Sequence, residues 1–133
     1  MTEQPIGVSR ECLKAFEEAS AEAERVAVAQ CLEADRPEDT MGPEAEAMLR
    51  SGMQFVTRML RASLQFAAEG VLTDQVQWGR ERLPHYGAHV EMVQRNLRRY
   101  ADALQSIMPG TTYKELAPYI DTLIEGDWST PPS

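Results

Sequence analysis

The sequence predicts an all-α fold of about five main helices ending in a helical hairpin, and three observations carry that prediction. Every long periodic segment repeats its apolar residues at the helical spacing. No segment alternates with period two for more than a few residues, as a half-buried strand would. Helix-breaking residues fall between the periodic segments: Pro37, Gly42 and Pro43, then Gly70, then Pro84 and Gly87, then Pro109 and Gly110.

Taken in order, Ser9 is the expected cap of a first helix running to about Glu33, with Leu13, Phe16, Ala19 or Ala23, Val26 and Ala27 along one side. A loop over 35–43 follows. The second helix, over 44–68, carries Leu49, Met53, Val56, Leu60, Ser63 and Ala67 in 4-3-4-3-4 spacing. Its neighbouring row of Met48, Gly52, Phe55, Met59 and Phe66 predicts burial over much of its surface. Gly70 ends it, and Thr73 caps a short third helix over 74–83, which Pro84 stops because a proline ring has no N–H for the helix ladder. The fourth helix, over 89–108, turns Val90, Val93, Leu97, Tyr100 or Ala101, Leu104 and Ile107 inward. Thr111 or Thr112 caps the fifth, whose apolar face is Tyr113, Leu116, Ala117, Ile120, Leu123 and Ile124, and Pro118 is expected to kink or split it. The Pro-Gly turn between the last two helices predicts an antiparallel hairpin.

Length and charge narrow the function classes. A chain of 133 residues is one domain, 1–133, with 1–7 and 126–133 as frayed ends. Its net charge of -8 is concentrated: residues 1–48 hold twelve Asp or Glu against four Lys or Arg, and residues 49–133 hold nine of each. That acidity argues against a nucleic-acid partner, which needs a basic footprint. It fits a solvated helix face or a surface for a basic protein partner. No run approaches the roughly 18 apolar residues of a membrane span, and the polar, acidic N-terminus does not read as an export signal, so the cytoplasm is the expected compartment. Cys12 and Cys31, about 28 Å apart if they share one helix, are expected to be free thiols.

Chemistry-bearing patterns are few. His85 and His89 flank the Pro84–Gly87 corner, and Glu81 precedes His85 by one turn. A general-base pair would need that turn intact, yet Pro84 disturbs it, and no Ser or Cys nucleophile lies beside it in sequence. Catalysis is therefore not expected. There is no phosphate-cradling glycine loop, zinc spacing, EF-hand or HExxH. The paired carboxylates Glu17 with Glu18 and Glu22 with Glu24 read as solvated. Arg80, Arg82, Arg95, Arg98 and Arg99 form one basic concentration, expected to bridge to the acidic first helix in preference to an anion site. Trp78 and Tyr86 are either core aromatics or the wall of an apolar pocket.

Across residues 45–125 the helix order resembles a reduced globin, and it is similar to two haem-free branches: the sensor domain of stressosome regulators and the phycobilisome proteins. In the latter, a helix ends in an alanine-glycine turn, and a short helix with a Gly-Leu-Arg-Glu stretch and a Leu-Gly corner follow. The counterparts are Ala68-Glu69-Gly70, Trp78-Gly79-Arg80-Glu81 and Tyr86-Gly87, while Tyr119-Ile120-Asp121 resembles the family's Tyr-Phe-Asp. The family's bilin-bearing cysteine falls at Gly52, and the proximal histidine of haem sensor globins, four residues before Gly87, falls at Leu83. The resemblance thus implies a globin-like sensory or scaffold domain without bilin or haem, with Trp78, Leu83, Tyr86, Phe55 and Met59 around a ligand pocket. Independently of the resemblance, the antiparallel hairpin is a common dimer surface, so a homodimer through the helices at 89–108 and 112–124 is expected. The alternatives are a haem-binding sensor that uses His85 or His89, and a plain helical protein-protein interaction module.

Overall fold

The computed structural model describes residues 8–36, 39, 42–66, 77, 81 and 90–126. Among them are four helices: α1 (Arg10–Asp35), α2 (Ala45–Phe66), α3 (Val90–Ile107) and α4 (Gly110–Ile124). The all-α expectation is met. The third of the five expected helices, over 74–83, lies outside the described residues except for Gln77 and Glu81, both helical and exposed.

α1 is the hub, packing against each of the other three helices and most extensively against α3 and α2. Its sequence explains why. The buried stripe runs Cys12, Phe16, Ala19, Ser20, Ala23, Ala27, Val28 and Cys31, small through its middle. Small side chains let neighbouring backbones approach, so the larger Leu60, Leu64, Leu97, Tyr100 and Leu104 of α2 and α3 fill the space. Leu13 and Val26, expected inward, are only half-buried, because the stripe is centred one position away and ends on the two cysteines.

The start of α1 follows its sequence closely. Ser9 is extended (φ -64, ψ 160), and its Oγ accepts from the Cys12 N–H at 3.1 Å. Its end is unusual, since Arg36 adopts the left-handed region at φ 47, where glycine is the ordinary choice. Gly42, at φ 85, makes the turn into α2 where a side chain would be strained.

Three expectations are corrected. On α2 the buried residues include Leu49, Met53, Thr57, Met59, Leu60, Ser63 and Leu64, so Met59 and Ser63 are inward as expected, Thr57 takes the place of the half-buried Val56, Leu64 joins the row, and Gly52 is exposed. On α3 Ile107 is 40% exposed while Met108 is buried, because the inward row continues 97, 101, 104, 108 and Met108 N–H donates to the Leu104 carbonyl at 2.8 Å. On α4 neither threonine caps the helix. It starts at Gly110 after Pro109, whose carbonyl receives the Thr112 and Tyr113 N–H groups at 3.0 Å and the Thr112 hydroxyl at 2.6 Å.

Pro118 does not split α4 either. Leu116, Ile120 and Leu123 are fully buried on both sides of it, which holds the helix in place while the proline ring faces outward. The hairpin of α3 and α4 is as expected, with two helices packed across a turn at Met108 and Pro109. No helix among the described residues is long and apolar enough to cross a membrane.

Candidate functional site

Of the residues expected around a pocket, Trp78, Leu83 and Tyr86 lie outside the described residues, as do His85 and His89. Met59 is buried in the core and Phe55 is half-buried against it. Neither lines the groove that the described helices form.

That groove runs between α1 and α2 with a volume of about 460 Å³, open to solvent. From α1 come Ala21, Glu24, Arg25, Val28, Ala29 and Leu32, a single stripe at helical spacing, and from α2 come Glu46, Arg50 and Gln54. Val28 is buried, Leu32 half-buried, and Ala21 and Ala29 are exposed, so the α1 wall is apolar or small apart from Glu24 and Arg25. The two arginines are already paired: Arg25 with Glu22 one turn back, and Arg50 with Glu46 at 2.6 Å.

Glu24 is held from beneath. The Thr57 hydroxyl donates to Glu24 Oε2 at 2.5 Å, and Thr57 Oγ1 is also hydrogen-bonded to the Tyr100 hydroxyl. Thr57 has one hydroxyl proton, so if Glu24 receives it, Tyr100 must be the donor in the second bond. The order is Tyr100 to Thr57 to Glu24, from a fully buried phenol to a half-buried carboxylate at the groove wall. Burial holds the Tyr100 phenol above its ordinary range, which keeps it a donor. Glu24 is thus not the solvated acid that its glutamate-rich surroundings suggest.

A second polar cluster ties the end of α1 to α3. Arg99 donates to both carboxylate oxygens of Asp35, at 2.6 and 3.2 Å, and Arg95 Nε donates to the same group at 3.2 Å. The arginine-to-first-helix bridging expected from sequence is found here for Arg95 and Arg99, while Arg98 is exposed and Arg80 and Arg82 lie outside the described residues. Arg99, and after it Arg95, hold the Asp35 carboxyl below the usual aspartate range. The Cys31 thiol donates to Asn96 Oδ1 at 2.9 Å, and Asn96 Oδ1 also accepts from Arg99 at 3.2 Å.

Both thiols are free and buried. Burial, with the Glu115 carboxylate adding to it, pushes Cys12 up to about 11. Burial also raises Cys31, against the opposing pull of Arg99. At neutral pH both are therefore protonated, the unreactive form. Among the described residues no group of three or more His, Cys, Asp or Glu is placed to hold a metal ion.

The outward side of the α3–α4 hairpin, where a dimer contact was expected, carries Glu91, Arg95, Arg98, Asp102, Lys114 and Asp121. Ile107, near the hairpin turn, is the exposed large apolar side chain among the described residues.

Sequence reasoning missed Glu24, Thr57, Asn96 and Glu115. Thr57 alone had a usable signal: it stands four residues after Met53 and three before Leu60, within the apolar row. No family model matches this chain, and neither does a curated protein or a solved structure.

Proposed function

We propose that this chain is a non-enzymatic binding domain of the haem-free, globin-like type, a sensory or scaffold module that acts by holding a partner. The observation that carries the reading is the groove between α1 and α2, whose apolar and small wall is edged by charges fixed in place by their own helix or by the core. A surface of that kind recognises a partner's shape and charge. The protonated state of both buried thiols supports the non-enzymatic side, because the thiolate is the nucleophile.

Self-association through α3 and α4 belongs to the same proposal. With charges over the hairpin's outward side, that contact is salt-sensitive, and Ile107→Lys weakens it. Titration of the purified protein with haemin tests the haem-free reading. No Soret band at equimolar haemin is expected, and a stoichiometric band that His85→Ala abolishes would overturn it.

A further inference from the structure

The geometry points to the α1–α2 groove as a docking site for a basic amphipathic helix of a partner protein, an inference that rests on the binding-domain reading above. Its length comes from the α1 stripe: 21 to 32 is eleven steps of about 1.5 Å, so about 16 Å or three turns of a helix lying along it. Its floor suits apolar anchors spaced i, i+3, i+4, i+7. Val28 and Leu32 offer branched apolar surface, and the exposed Ala21 and Ala29 let an incoming backbone come close.

Charge selects the sign of the partner. Within the groove Arg25 is neutralised by Glu22 and Arg50 by Glu46, which leaves Glu24 as the groove carboxylate with no cation bonded to it among the described residues. Thr57 engages only Oε2, and Tyr100 behind Thr57 fixes the arrangement in advance of binding. The α1 flank has the same sign: Glu18 and Glu33 are exposed there, and α1 as a whole carries seven acidic residues against three basic ones, while Glu17 is paired with Arg61 of α2 at 3.3 Å. A lysine or arginine side chain reaching Glu24, with further basic residues over the α1 flank, therefore complements both the point charge and the acidic side of the groove.

The test is an amide chemical-shift titration of the folded protein with a 14-residue helical peptide of leucines and lysines. The control is the same peptide with glutamate in place of lysine. The lysine peptide should shift Ala21, Arg25, Val28, Leu32, Arg50 and Gln54, and the glutamate peptide should not. Ala29→Lys, a change at an exposed helix position that leaves the core untouched, should weaken binding at least tenfold, and Glu24→Gln about fivefold. Glu11→Gln, exposed in the first turn of α1 outside the groove, should change it less than twofold.

Shifts confined to another surface would overturn the docking site, as would equal losses from Glu11→Gln and Glu24→Gln, indifference to Ala29→Lys, or no binding. None of these outcomes bears on haemin, so docking of a basic helix can fail while the haem-free binding-domain reading stands. A His85-dependent Soret band would remove that reading alone.

Discussion

Replacing Thr57 by valine keeps the shape of a buried side chain and removes a hydroxyl that joins α1, α2 and α3. The direction of the two hydrogen bonds sets the cost. Valine leaves the Tyr100 hydroxyl buried without an acceptor, worth about 1–3 kcal/mol, and strips Glu24 of a donor, which water replaces in part because Glu24 is half-exposed. A loss of about 2 kcal/mol follows for Thr57→Val. Tyr100→Phe is milder, about 0.5–1 kcal/mol, since Thr57 still donates to Glu24 and no donor is orphaned. In the double variant the orphaned phenol is gone, so only about 1 kcal/mol is lost where simple addition gives about 3 kcal/mol. The double variant should therefore be more stable than Thr57→Val alone, by about 1 kcal/mol or roughly 4 °C in Tm for a chain of this size. Urea and thermal unfolding followed by far-UV circular dichroism measure all four corners of the cycle. Additive losses, or Tyr100→Phe costing as much as Thr57→Val, would refute the assigned order of donors.

Four further outcomes follow from the same structure. Asp35 has a folded-state pKa below its unfolded value of about 3.9, so its contribution is present above that value and is lost as pH falls through the lower folded one. Asp35→Asn should lower stability at pH 7 and flatten the decline of unfolding free energy below about pH 5, both read from urea midpoints. Cys12, raised to about 11, contributes in the opposite sense: stability complete below about 8.5 and lost as pH climbs toward 11. Neither thiol should react with a disulfide reagent at pH 7.5 faster than the chain unfolds, and prompt labelling of either would contradict its burial. Ser63 is fully buried, and its hydroxyl has no hydrogen-bond partner among the described residues, so Ser63→Ala should be neutral or stabilising by about 1 kcal/mol, and a destabilising result would reveal a partner.

Helix positions were legible because they rest on spacing and on residues whose effect is local. The cap at Ser9 and the Pro109 turn need nothing beyond the chain nearby. Which face turns inward was legible only to within one position. On α3 the choice between Ile107 and Met108 is decided by where α1 lies, and on α2 Thr57 takes the place of Val56 for the same reason. The polar ties were not legible, because each joins residues distant in sequence: Glu24 with Thr57, Asp35 with Arg99, Ser9 with Glu115. A glutamate with solvent on one side and a threonine beneath it has the same local sequence as a fully solvated one.

Those three ties share a logic that concerns α1 alone. A helix of 26 residues presents unpaired N–H groups and partial positive charge at its start, and carbonyls and partial negative charge at its end. α1 has Glu11 in its first turn and no basic residue in its last, and it ends on Asp35, an anion at the unfavourable pole. The rest of the chain supplies what α1 lacks. At the start, Glu115 of α4 accepts from the Ser9 N–H at 2.8 Å and the Ser9 hydroxyl at 2.7 Å, adding a carboxylate to the positive pole. At the end, Arg95 and Arg99 of α3 cover Asp35 and bring two cations to the negative pole. In the middle, away from both poles, Thr57 holds Glu24. Along α1 acidic residues are thus met one by one: Arg61 of α2 pairs with Glu17 at 3.3 Å, Arg25 of α1 itself with Glu22, Thr57 of α2 holds Glu24, and Arg95 and Arg99 of α3 cover Asp35.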